Sequence, residues 1–239
     1  MTDLAPVSRR SLVDQAFVAL RARILHGSWA PGERLPTEHA LAEALGVGRS
    51  SVREALNRLA ASGFVDAPHS AARTVLDFRD HAGLDVLADL VVTPEGVPDL
   101  AVVRSVVEMR AAIAPDVARL AALRRTDEAA EELLALAGAV PSGGDANEAM
   151  EAALRWWTAL VLMSGNLAYR LAFNTLRTTY TEGRPLLLAV MTEELFAAPR
   201  YVAVSRAVAS RDPDTARAEA ASLVALGSHA LFAALPEER

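Results

Sequence analysis

The sequence predicts a mainly α protein: an N-terminal winged helix-turn-helix with a small β-wing, followed by an all-α antiparallel helical bundle. Three observations predict it. Residues 32–76 read as two short helices, a glycine turn and two short strand candidates. From residue 80 onward, apolar residues recur at helical spacing and no strand pattern competes. The charge also divides: residues 1–79 carry ten arginines against eight acids and residues 80–239 carry fourteen against twenty-two, so a chain of net charge −6 is +2 at its front and −8 behind. That asymmetry suits a protein that turns one face to an anionic polymer and keeps the rest away from it.

The elements follow in order. Val13, Phe17, Leu20 and Ile24 form one helical stripe and define a supporting first helix. In Pro36-Thr37-Glu38, Thr37 is a helix N-cap, and the inward positions of that helix are Leu41, Ala44 and Leu45. Gly46-Val47-Gly48 supplies a sharp turn. The second helix of the motif begins near Arg49, with Val52, Ala55, Leu56 and Leu59 buried at i, i+3, i+4 and i+7. Its opposite face holds Arg49, Ser50, Ser51, Arg53 and Asn57, and Gly63 ends it. Residues 64–67 and 73–76 are wing strands around a tip that contains His69. Helices are expected near 83–92, 99–124, 126–138, 147–164, 167–190, 192–210 and 213–234, with Pro115 kinking the second and Pro185 and Pro199 bending or ending others. The domains expected are a winged helix over 10–77, a linker with a short helix over 78–98 and a helical domain over 99–236.

Arginine, hydroxyls and an amide at a helix N-terminus can reach phosphates through the helix dipole and base edges through their side chains. Binding of that kind weakens with salt. Arg34 and Arg58 suit general phosphate contact or solvation better than base reading. Cysteine is absent, so disulfides and thiolate zinc sites are excluded. No apolar run of 18 residues occurs, and MTDLAPVSRR lacks the apolar segment of a signal peptide. A soluble, cytoplasmic protein without membrane partners is expected. No Ser-His-Asp arrangement gathers in the helical half, which argues against an enzyme.

Residues 10–77 resemble the winged-helix domain of the GntR family of bacterial transcription regulators. The shared pattern is Gly32, Leu35, Pro36, Glu38, Leu41, Ala42, Leu45, Val47, Arg49, Val52, Arg53, Ala55, Leu56, Leu59 and Gly63. The resemblance implies that Arg49 and Arg53 enter the major groove and that the wing tip reaches the minor groove of a double-stranded, pseudo-palindromic operator. The DNA-binding candidates are therefore Arg34, Thr37, His39, Arg49, Ser50, Ser51, Arg53 and His69. Two departures stand out: His39 replaces an arginine that contacts DNA, and Gly48 replaces a capping serine or threonine.

The order of domains resembles the FadR-type branch of that family, whose C-terminal FCD domain binds an effector. Glu108, Arg110, Pro115, Leu120, Ala121, Ala122, Ser164-Gly165-Asn166, Ala207, Asp212 and Ala216 carry this likeness. Many members of the branch hold a metal with one aspartate and three histidines. Here those positions hold Ala153, Trp157, Tyr201 and Leu223, so neither metal nor other cofactor is expected. The exchange makes a polar pocket apolar. The chain is most similar to the metal-free, acyl-CoA-responsive kind of FadR-type regulator, through Gly83-Leu84, Leu87, Val97-Pro98, Leu100, Arg110, Tyr169 and Tyr180. A homodimer is implied, with a long-chain acyl-CoA or fatty acid as effector; a small organic acid held by Arg110 is the alternative. The effector candidates are Arg110, Trp157, Asn166, Tyr169, Arg177, Tyr180 and His229. Arg110 has a second reading as the partner of an acid such as Glu108 or Asp116, and the Ser-Gly-Asn turn is explained by a helix stop alone. Trp156 and Trp157 lie about 100° apart on a helix, so one lines the cavity and the other packs the core.

Overall fold

The computed structural model describes residues 11–66, 73–93, 95–182, 184, 188 and 191–234, with the side chains of all of these except 181, 182 and 230–234. His69 and Pro185 lie outside this set. The chain divides into two compact units, Met1–Leu90 and Val91–Arg239, each described by itself.

In the first unit, α1 (Leu12–Leu25) starts at a reciprocal Ser11–Asp14 capping box. α2 (Glu38–Leu45) starts at Thr37, whose hydroxyl accepts the Ala40 N–H at 3.3 Å. Gly46, at φ 65°, turns the chain in the left-handed region, and α3 (Arg49–Ala61) follows from Gly48. Val52, Ala55, Leu56 and Leu59 of α3 are buried with Ala16, Leu20 and Ile24 of α1 and Leu41 of α2. Ala44, expected inward, is exposed, and Ala42 is buried instead. On so short a helix Leu41, Ala42 and Leu45 already complete the inward stripe. The wing strands reduce to antiparallel bridges, Val65 with Val75 and Arg34 with Thr74.

Gly63 has φ 77°, and a Cβ there would lie 2.7 Å from the His81 carbonyl oxygen. Only glycine admits that approach, which seats the short α4 (Phe78–His81) against the end of α3. A 3₁₀ turn (Leu84–Val86) and α5 (Leu87–Leu90) follow, and Val86, Phe78 and Leu90 join the first unit's core.

The second unit contains α6 (Leu100–Arg124), α7 (Asp127–Gly138), α8 (Ala146–Met163), α9 (Leu167–Glu182), α10 (Thr192–Leu195), α11 (Ala198–Ala209) and α12 (Pro213–Ala234). α6 runs through Pro115 without ending. The single helix expected over 192–210 is two, and Pro199 lies in the first turn of α11, where its missing N–H removes no helical bond. Fully buried alanines, among them Ala118, Ala121 and Ala122 on α6 and Ala216 and Ala220 on α12, let these two long helices pack closely. Trp156 is the largest wholly buried side chain. Its indole Nε1 donates to Ser205 Oγ at 2.9 Å, and Trp157 and Tyr201 meet its ring edge-on, with centroids 4.8 and 4.9 Å away. Among the described residues no helix is long and apolar enough to cross a membrane.

Candidate DNA interface and effector pocket

The outer face of α3 carries exposed Arg49, Ser50, Arg53 and Asn57, with Ser51 half-buried. No side chain caps the helix at Gly48, so its leading N–H groups point outward beside Arg49 and Ser50. Arg53 forks onto Glu38 of α2, with Nε 3.1 Å from Oε1 and Nη2 2.8 Å from Oε2. The hydrogen bond holds the Glu38 carboxyl below its ordinary range and raises Arg53. This fork fixes the two helices at their outer face and aims the guanidinium. Arg58 is otherwise engaged: it pairs with Asp14 at 2.6 Å and stacks 4.4 Å over the Phe17 ring. Arg34 and His39 are exposed, and Thr37 serves as the cap of α2.

In the second unit a slit opens between α6, α8 and α9. Arg110, Ile113, Ala114 and Val117 line it from α6, Trp157 and Val161 from α8, and Tyr169, Ala172, Phe173, Leu176 and Tyr180 from α9. The spacing is i, i+3, i+4, i+7 on α6, i, i+4 on α8, and i, i+3, i+4, i+7, i+11 on α9, in each case a single face of the helix. From Tyr169 to Tyr180 the slit follows α9 for about 16 Å. Its free volume is about 30 Å³, so it stands nearly closed.

One end of the slit is charged. Arg110 is 7% exposed and its Nη1 donates to Glu194 Oε2 at 2.9 Å, while Nη2 donates to Oε1. Burial opposes the charge on Arg110, but the Glu194 carboxylate outweighs it, and the guanidinium pKa is raised. Trp157 faces the same guanidinium, 5.6 Å from ring centroid to Cζ. Tyr180 and Tyr201 are buried nearby, and among the described residues neither phenol oxygen makes a well-formed hydrogen bond, although Arg110 approaches Tyr180 and Trp157 approaches Tyr201. Burial raises the pKa of both phenols, with the Glu194 charge adding to the effect at Tyr201, so both remain hydrogen-bond donors. At the other end the Tyr169 hydroxyl donates to Asp116 at 3.1 Å, and Asp116 also accepts from Arg119 at 2.7 Å.

The structure thus gathers Arg110, Trp157, Tyr169 and Tyr180 around one slit and leaves three effector candidates outside its lining. Asn166 caps α9 through its Oδ1, which accepts the Tyr169 N–H at 3.3 Å. Arg177 is exposed, one position past the inward Leu176. His229 is exposed because burial on α12 follows Ala216, Ala220, Val224 and Ser228, and the next residue turns outward. The partner of Arg110 is neither Glu108 nor Asp116 but Glu194, 84 positions away, a pairing that spacing on α6 gives no sign of. Trp157 lines the slit and Trp156 fills the core, as adjacent positions on one helix require. Ala153, Tyr201 and Leu223 are buried with Trp157 in the apolar core and supply no donor set for a metal. Among the described residues no three His, Asp or Glu side chains converge as ligands.

Residues 12–75 match the model of the bacterial regulatory proteins of the gntR family, and residues 105–225 match the FCD domain. The chain is 40% identical over 235 residues to the HTH-type transcriptional regulator Mce2R of Mycobacterium tuberculosis, covering 97% of this chain and 96% of that protein. It is 35% identical over 159 residues to the fatty acid metabolism regulator protein of Serratia proteamaculans, covering 66% of this chain and 64% of that one. Among solved structures, Lar of Listeria monocytogenes, which controls expression of the agr system, shares the fold at 16% identity, with 95% of this chain and 99% of that chain covered and a TM-score of 0.57. An uncapped, arginine-bearing helix in the first unit and a narrow, mostly apolar slit between helices in the second agree with both matches: the chain belongs to the GntR family and is a DNA-binding transcriptional regulator with an FCD effector-binding domain.

Proposed function

We propose that this regulator reads its operator with the outer face of α3 and releases or grips it according to an acyl ligand, a long-chain fatty acid or its CoA thioester, held in the slit of the FCD domain. The single observation that carries the ligand reading is the composition of the slit. Among the described residues its walls are mostly aliphatic and aromatic, and the lining cation, Arg110, stands at one end beside the Tyr180 phenol. That distribution matches an amphiphile with an anionic or carbonyl head and an apolar tail. The fatty acid metabolism regulator of Serratia proteamaculans is a relative whose name agrees with such a ligand.

A second reading, a small organic acid at Arg110, is favoured by one observation: the free volume is about 30 Å³, far below the roughly 300–1,000 Å³ of ordinary ligand pockets, so a long chain must part α6 from α9. Tryptophan emission separates the two, because Trp157 borders the slit. Titration with oleate and oleoyl-CoA is expected to change emission and saturate at one ligand per chain, with acetate and succinate inert. A response to the short acids alone would reject the acyl ligand.

On the DNA side, Arg49 and Arg53 are the proposed major-groove contacts, with Ser50 and Ser51 at the phosphates, and Arg34, Thr37, His39 and His69 as further contacts. Arg53→Ala is expected to weaken specific operator binding by about 1–3 kcal/mol. A gel-shift titration with unchanged affinity would remove Arg53 from the interface. The protein acts as a homodimer on a pseudo-palindromic operator, since two copies match two half-sites at one separation. Exposed Leu162, Leu167 and Leu171 supply apolar surface for a second copy. Ligand in the slit shifts the helices of one copy and so alters the spacing of the two winged helices.

A further inference from the structure

We propose that Asn57 reads a guanine in the major groove, and that Arg73 of the wing sets this preference by fixing the orientation of the Asn57 amide. Arg73 Nη2 donates to Asn57 Oδ1 at 2.5 Å. Arg73 itself is 7% exposed, held where the wing returns toward α3 and its neighbour Thr74 donates its backbone N–H to Asp66 Oδ1 at 2.8 Å. A guanidinium has donors only, so the amide oxygen must face it. The two N–H donors of Asn57 consequently turn away from Arg73.

Asn57 is exposed and stands four residues after Arg53 and eight after Arg49, on the same face of α3. It is therefore the next side chain along the row that the proposed docking sets in the groove, and the inference rests on that docking. The usual pairing of asparagine with adenine needs both halves of the amide, one accepting from N6 and one donating to N7. With Oδ1 turned toward Arg73 and one of its two lone pairs taken, the oxygen is drawn away from the position needed to accept from N6. Guanine offers two acceptors, O6 and N7, and asks only for donors. The strut thus converts an adenine reader into a guanine reader, and it makes a base preference on the recognition helix depend on the wing.

The test is a binding scan of the full-length protein on a selected operator and all its single base-pair variants, with Arg49→Ala, Asn57→Ala and Arg73→Met beside wild type. Asn57→Ala is expected to lower affinity for the preferred operator about fivefold and to erase a guanine preference at one symmetry-related pair of positions, leaving other positions unchanged. Replacing that guanine with 7-deazaguanine should weaken wild type and leave Asn57→Ala unaffected. Arg73→Met frees the amide oxygen and should move the preference at the same position toward adenine. If Arg73→Met fails to fold, judged by circular dichroism, the surface variant Asn57→Ala decides alone. An Asn57→Ala protein that loses affinity equally on every sequence, or not at all, while Arg49→Ala abolishes specific binding, overturns the proposal and leaves the docking intact. Unchanged binding by Arg49→Ala rejects the docking itself and the proposal with it.

Discussion

Glu194→Ala is expected to destabilise the FCD unit by about 3–5 kcal/mol, because it strands a buried cation. Arg110 is 7% exposed, and its bidentate partner is the carboxylate of Glu194, itself 1% exposed. The fit is close: a Cβ at Gly227 would lie 2.5 Å from Glu194 Oε2, so glycine on α12 leaves the carboxylate its room and a larger residue would make it shift. Desolvating both charges costs much of what their attraction returns, so the pair itself contributes little net stability. Breaking it is a different matter. Urea unfolding should show a large loss for Glu194→Ala and substantial recovery in the double variant Arg110→Met with Glu194→Leu, which removes both charges and keeps the volume. A loss below about 1 kcal/mol for the single variant would mean that water reaches Arg110 and that the pair is not dry.

The second large effect separates two neighbouring tryptophans. Trp156→Ala should cost about 3–5 kcal/mol, the range for deleting a wholly enclosed aromatic ring. It also removes the donor to Ser205 Oγ and the edge contacts with Trp157 and Tyr201. Trp157→Ala, at 7% exposure, also loses core packing, but unlike Trp156→Ala it enlarges the slit and removes the ring that faces Arg110, so it alone changes ligand affinity as well. Thermal unfolding and the oleate titration measured on both variants check this division. Equal losses of stability with unaltered ligand affinity would take Trp157 out of the site.

These assignments differ in how far the sequence reveals them. The first unit is legible because its signals are local: Thr37 caps α2, Gly46 turns left-handed, α3 begins at Arg49, and the buried stripe Val52, Ala55, Leu56 and Leu59 follows from helical period alone. The lining of the slit is partly legible for a different reason: the resemblance to FadR-type regulators, rather than spacing, marks Arg110, Trp157, Tyr169 and Tyr180, and the structure places all four around it. Tertiary choices were hidden. Nothing local indicates that Arg110 closes onto a carboxylate 84 positions away, or that Arg73 takes the amide of Asn57. A single helical step sends His229 outward after Ser228, and the polar tip of Asn166 is consumed in capping α9.

The most direct test of the account is operator affinity measured by fluorescence anisotropy as oleate and oleoyl-CoA are added, for wild type and for Ala114→Phe, whose added ring fills the slit. An acyl ligand is expected to change wild-type affinity at least tenfold, a coupling of about 1.4 kcal/mol, and to leave the slit-filled variant indifferent while its operator binding persists. Operator affinity unmoved by either ligand in wild type, or moved equally in both proteins, would contradict it.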